Sequence, residues 1–245
     1  MRHDTALNSA QQPAGGRAPA GLSVLSTLSA KEALKEIIPL FELATGYLIS
    51  VEYVGASVLA TRQISGGEAD LFIGPCDLCQ RYAAAGILMP DSQRDFAVSR
   101  SGAAVRSGGN LPDIASPEGL VAYLRQARSV CYGAGASATQ FVSALHKYGL
   151  HDEIAAKRVV PAPGEAIGAI VSRGDATLGI QQVSELMPIG GITLLKLPAE
   201  FEKKLTYCAA SFSQSQALAG VDAFIRFLGQ DDASSIFRRK GLEPL

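Results

Sequence analysis

Residues 22–44 read LSVLSTLSAKEALKEIIPLFELA, and this stretch decides the fold class. Leu22–Leu25 is a short apolar run of the kind that forms a buried strand. Ser29-Ala-Lys-Glu32 is an S-x-x-E capping box, in which the two side chains satisfy free backbone amides at a helix start. From there Ala33, Leu34, Ile37, Ile38, Phe41 and Ala44 recur at helical spacing, and Gly46 suits the helix end. Pro39 inside this pattern is expected to kink or split the helix, because proline has no amide proton. A buried strand feeding an amphipathic helix is the building unit of an α/β protein.

Working outward, the same alternation continues. Tyr47–Val54 reads as a strand, Ser57–Ser65 as a short helix and Ala69–Ile73 as a strand stopped by Gly74-Pro75. Phe96–Val105 is a longer strand, and Ser116-Pro117 opens a helix with serine as cap and proline at the first position. Ser129–Tyr132 is a strand, and Ser137-Ala-Thr-Gln140 is a second capping box. A strand at Val159-Val160, a helix over Glu165–Arg173 and a strand over Thr177–Ile180 follow. Thr206–Ser211 is strand-like, and Val221–Leu228 and Ala233–Arg238 are helical. Two α/β lobes are expected, each a mixed sheet flanked by helices. The first takes 22–98 and regains 206–245, the second takes 99–205, and 1–21 is read as a disordered tail.

The composition excludes several function classes. Twenty-two Lys plus Arg stand against 23 Asp plus Glu, a net charge of −1, which argues against nucleic-acid binding through a global positive field. Residues 1–21 contain neither the apolar core of a signal peptide nor a membrane span, so no membrane insertion is expected. As written, the chain is expected in the cytoplasm, or in the periplasm if an export signal is missing from it. Cys76 and Cys79 form a C-x-x-C pair, but no second close Cys or His pair accompanies it to complete four zinc ligands, so no metal and no cofactor are expected. Cys131 reads as a small core residue.

Chemistry is expected where strands hand over to helices. Thr27-Leu28-Ser29, Gly55-Ala56-Ser57 and Gly135-Ala136-Ser137 each place a small or hydroxyl residue at a helix start, where free amides and a partial positive charge favour anions. In open α/β sheets ligands collect beyond the carboxyl ends of the strands. Each serine alone is equally well explained as a cap. Arg62, Arg100 and Arg173 are candidate charged clamps if they face the cleft.

Four segments carry a family resemblance. Val24-Leu-Ser-Thr-Leu-Ser29-Ala-Lys-Glu-Ala33-Leu34 resembles the opening strand and helix of periplasmic molybdate-binding proteins, which have the two-lobed type II periplasmic binding fold. Tyr53-Val-Gly-Ala-Ser57-Val-Leu59 with Gly66-Gly-Glu-Ala-Asp70-Leu-Phe-Ile73 is similar to that family's next strand, helix and strand. Ala169-Ile-Val-Ser-Arg173-Gly-Asp-Ala-Thr-Leu-Gly179-Ile180 and Ile236-Phe-Arg-Arg-Lys-Gly241-Leu242 resemble its second-lobe signature and its end. The resemblance implies an interlobe cleft for a small anion, bound through Ser29, Ala56, Ser57, Ser137 and Gly164, with Thr139 as a further donor. Gln182 falls where the family has a pocket tyrosine. Gln181 and Gln182 each offer an amide that both donates and accepts, which suits a carboxylate or amide ligand better than a tetrahedral metal oxyanion.

Two functions follow as expectations. One is a solute-binding protein for a small anion, partnered by an ABC-transporter permease if exported. The other is a cytosolic isomerase acting on an unsaturated carboxylate, because some aconitate isomerases resemble molybdate-binding proteins. That chemistry needs a base. Glu165 and Glu185 are both available, and the sequence does not choose between them.

Overall fold

The apolar face of residues 31–45 closes over the strand that precedes it, and the rest of the first lobe grows from that contact. The computed structural model describes residues 21–134, 136–162 and 164–245, without the side chains of Ala136 and Ser137. The expected tail therefore lies outside the described residues, apart from Gly21. The chain runs β1 (Gly21–Thr27), α1 (Lys31–Thr45), β2 (Leu48–Val54), α2 (Ala56–Leu59), β3 (Leu71–Pro75) and α3 (Cys76–Ala84). It then passes through β4 (Arg94–Arg106), α4 (Pro117–Gln126), β5 (Val130–Tyr132), α5 (Ala136–Lys147), α6 (His151–Ala156) and β6 (Arg158–Val159). After α7 (Ile167–Arg173), β7 (Leu178–Gln182), α8 (Val183–Leu186) and β8 (Ile192–Leu195), it finishes with β9 (Lys204–Ser211), α9 (Leu218–Leu228), α10 (Asp231–Arg239) and β10 (Leu242–Pro244).

The strands lie in the order β2-β1-β3-β9-β4-β7-β5-β6, with β8 and β10 also pairing with β4. The outer strands are parallel: β1 pairs with β2 and β3, and β5 with β6 and β7. The two central strands are antiparallel to their neighbours. Strand β4 changes partners midway. Ala97–Arg100 pairs with β9, whereas Ser101–Ala104 pairs with β7. Each half has its own core. One joins Leu34, Ile37, Phe41, Tyr207, Phe224 and Phe237; another joins Leu120, Tyr132, Phe141, Leu145, Ile180 and Phe201. These are the two lobes of a mixed α/β architecture, joined through β4 and β9. Among the described residues no helix is long and apolar enough to cross a membrane.

Local chemistry explains most elements and corrects some expectations. Ser116 caps α4 as expected, accepting from the Gly119 amide at 3.0 Å. Helix α1 runs through Pro39 without splitting, with Pro39 on its exposed face. The Ser29 box does not cap: residues 28–30 form a 3₁₀ turn, α1 starts behind Ala30, and no side chain caps either. The helix expected over Ser57–Ser65 stops at Leu59, so it is a single turn. Ser137 lies inside α5 rather than ahead of it. The short elements α6, α8, β8 and β10 carry too few periodic residues to be read from sequence.

Gly179 marks a close approach of helix to sheet in the second lobe. A Cβ at this position of β7 would sit 2.7 Å from Val171 Cγ2 and 2.8 Å from Ile167 Cγ2, both on α7. Any side chain there drives helix from sheet. Gly179→Val is expected to destabilise the protein by about 1–3 kcal/mol, measured as a lower urea midpoint with unchanged slope; an unchanged midpoint would show that α7 is free to move.

Candidate functional site

The carboxyl end of β1 and the end of β7 meet at the seam between the lobes. The 3₁₀ turn after β1 puts Ser29 there, only 6% exposed. From the other side, α8 directly follows β7 and presents Glu185. Ser29 Oγ donates to Glu185 Oε1 at 2.6 Å, a contact spanning 156 residues of sequence. Gln181 Nε2 donates to Glu185 Oε2 at 2.7 Å. Beside them the hydroxyl of buried Tyr207 accepts from Thr27 Oγ1 at 3.4 Å. Burial raises the Tyr207 phenol above its ordinary range, so it stays protonated and able to donate.

Glu185 is the unusual member of this group. Burial pushes its carboxyl pKa up, while the bonds from Ser29 and Gln181 pull it partly back. No Lys or Arg pairs with it among the described residues, although a buried carboxylate ordinarily demands a cation. Around it, three polar atoms are buried without a partner among the described residues: Gln181 Oε1, Gln182 Nε2 and Ser184 Oγ. Gln182 is otherwise anchored, accepting from Ser99 Oγ at 2.6 Å. One run, 181–185, thus gathers a desolvated acid, two donors and one acceptor with unused capacity. Buried polar groups are rarely left unpaired, which makes the run a candidate ligand site.

The remaining sequence candidates separate into groups. Ala56 and Ser57 open the single turn of α2, half-buried and exposed respectively. Thr139 is exposed on α5, and the Ser137 side chain lies outside the described residues. Gly164 has a left-handed backbone, φ 80°, in the turn ahead of α7. The three arginines are engaged elsewhere. Arg62 pairs with Glu52 and Glu68, Arg100 with Glu202 and Glu243, and Arg173 with Glu165 and Asp175. Arg173 holds the Glu165 carboxyl below its usual range, which makes Glu165 a poor base. Of the two acids named from sequence, only Glu185 has the raised affinity for a proton. Sequence reasoning missed Ser99, Ser184 and Tyr207. The hydroxyl-rich run at the end of β1 and the Gln-Gln-x-Ser-Glu segment, 181–185, were the available signals. The surface grooves of about 450 and 570 Å³ are lined by neither Ser29 nor the 181–185 run.

Comparison with known proteins agrees with this fold. The family model for bacterial extracellular solute-binding proteins matches residues 22–243. An aconitate isomerase from a Pseudomonas species is 30% identical over 232 residues, covering 91% of this chain and 88% of that protein. Among solved structures, the periplasmic molybdate-binding protein of Azotobacter vinelandii superposes with a TM-score of 0.70 at 16% identity, over 90% of this chain and 98% of that one. The sulfate-binding protein SubI of Mycobacterium tuberculosis gives 0.70 at 17% identity, over 92% and 87%. The chain therefore has the two-lobed type II periplasmic binding fold and belongs to the bacterial extracellular solute-binding protein family.

Proposed function

We propose that the seam binds a small di- or tricarboxylate and that Glu185 moves a proton on it, making the chain an isomerase of an unsaturated carboxylate. The single observation that carries this reading is the desolvated Glu185 carboxyl, held by Ser29 and Gln181 without a cation. A site built only to hold an oxyanion gains nothing from a carboxylate, because like charges at contact repel. An acid whose proton affinity is raised by burial is instead suited to general acid–base work near neutral pH. The aconitate isomerase relative supports the same substrate class.

The step needs one movable proton. Glu185, as carboxylate, takes a proton from a methylene carbon lying between a carboxylate and a carbon–carbon double bond. The released C–H electron pair forms a new double bond, and the old double bond's pair takes a proton at its far carbon. Glu185 exchanges the proton it took with solvent and delivers one to that carbon, so the product has the substrate's formula with its double bond shifted. Gln182 Nε2 and Ser184 Oγ are donors with unused capacity for the substrate carboxylates. Helix starts and hydroxyls hold anions without formal charge, so the pairing of Arg62, Arg100 and Arg173 elsewhere is no obstacle.

Incubation with cis- and trans-aconitate, followed by chromatography, is expected to show interconversion that falls at least 100-fold in Glu185→Gln. Calorimetric titration with the same acids is expected to show binding in both proteins. Binding without turnover in the wild type would leave a solute receptor, the second reading, favoured by the molybdate- and sulfate-binding neighbours. No binding across carboxylates, molybdate and sulfate would overturn both.

The same residue controls stability. Its folded pKa lies above the unfolded value of 4.5, so the folded state holds more protons than the unfolded state in the window above pH 4.5. Stability must then fall as pH rises through that window. Glu185→Gln removes the titration. Its melting temperature is expected to exceed wild type at pH 8 by roughly 2–4 °C, the shift that about 1 kcal/mol produces in a chain of this size, and the difference is expected to shrink towards pH 4.5. Equal curves at both pH values would place Glu185 in water.

A further inference from the structure

The C-x-x-C pair, Cys76 and Cys79, lies at the start of α3, directly beyond the end of β3. The sheet register places Gly74 of β3 opposite Cys208 of β9, and Cys208 opposite Asp95 of β4. Three strands thus bring together residues separated by up to 132 positions. Cys76 Sγ lies 3.2 Å from Asp95 Oδ1, and the ligand atoms of Cys76, Asp95 and Cys208 all fall within 4.8 Å of one another. Buried Cys79, three residues on from Cys76 along α3, packs with Cys208 in the same core cluster, so a third sulfur lies beside the group. All four cysteines of the chain are free thiols. Among the described residues this is the one group of three or more His, Cys, Asp or Glu ligand atoms that converges.

We propose that Cys76, Cys79, Cys208 and Asp95 form a binding site for one thiophilic divalent cation of the zinc class. Three sulfurs and one carboxylate oxygen are a four-ligand set of the type zinc takes in tetrahedral sites. With metal–ligand distances of about 2.0–2.3 Å, tetrahedral ligands stand roughly 3.3–3.8 Å apart, so the atoms of Cys76, Asp95 and Cys208, already within 4.8 Å of one another, draw closer on the ion and Cys79 turns towards it from the same helix. Asp95 is the exposed member and Cys76 is partly exposed, while Cys79 and Cys208 are buried, which gives the ion an entry path on one side and a dry floor on the other. Asp95 is further oriented by Gln93, whose Nε2 donates to Oδ1 at 3.1 Å. Each sulfur that ligates releases its proton to solvent, so uptake strengthens as pH rises.

The site is separate from the Ser29–Glu185 seam. Cys208 and Tyr207 are adjacent on β9, and adjacent strand residues face opposite sides of a sheet. Cys208 packs with Leu25, Phe72 and Cys79, whereas Tyr207 packs with Val24, Leu34 and Phe41. Metal would therefore tie α3 to β4 and β9, the two strands that join the lobes, without occupying the seam.

The test uses the full chain, purified in a non-thiol reductant and titrated with Zn²⁺ against a chromophoric chelator. One equivalent is expected to bind and to raise the melting temperature. Asp95→Ala, at an exposed position, is expected to weaken Zn²⁺ by 10- to 100-fold, and Cys76→Ser with Cys208→Ser to abolish uptake. Cys131, buried in the second lobe and not part of the cluster, is the control, and Cys131→Ser is expected to leave uptake unchanged. Co²⁺ in place of Zn²⁺ is expected to show intense thiolate-to-metal absorption in the wild type. Failure of the reduced wild type to take up Zn²⁺ overturns the proposal, as does uptake that survives Cys76→Ser with Cys208→Ser. Circular dichroism of each variant distinguishes a lost site from a lost fold.

Discussion

A carboxylate drawn partly out of water without a cation is expensive, and the seam of this protein contains one. Glu185 is kept there by hydrogen bonds from Ser29 and Gln181. Such bonds recover part of the desolvation cost and leave the rest as a raised affinity for a proton. Everything proposed about function depends on that imbalance. A structural ion pair would have satisfied the acid and silenced it, as Arg173 does for Glu165.

The fold exists to bring these groups together. Ser29 comes from the first strand-to-helix turn and Glu185 from the turn after β7. Between them lies β4, whose partners change between Arg100 and Ser101. A strand shared by two half-sheets gives each lobe its own core while allowing one to move relative to the other. The Ser29–Glu185 bond crosses that seam and ties the two halves across it.

Much of this architecture was legible in the sequence. The helix over 31–45, the cap at Ser116 and the strand at Phe96–Val105 follow from periodicity and end signals that act within a few residues. Ser29 was legible as a position but not as a role. Its capping-box pattern is local, whereas its true partner is 156 residues away and the helix starts behind it through an extra 3₁₀ turn. Gln182 stood out as an amide in place of an aromatic ring, and the structure buries it against Ser99. Glu165 and Glu185 were equivalent by composition, since burial and ion pairing are properties of the folded chain. The C-x-x-C pair looked incomplete for the same reason, because strand register, not spacing, brings Cys208 and Asp95 to it.

Near-neutral net charge is consistent with a site for anions made from turns, hydroxyls and amides, with the basic residues spent on surface pairs. What separates a proton-moving site from a receptor is chemistry at carbon. The most direct measurement is proton NMR of aconitate held with the protein in D₂O. The account predicts deuterium entering carbon-bound positions with the wild-type chain and not with Glu185→Gln. Aconitate that binds but stays fully protonated at carbon would contradict it.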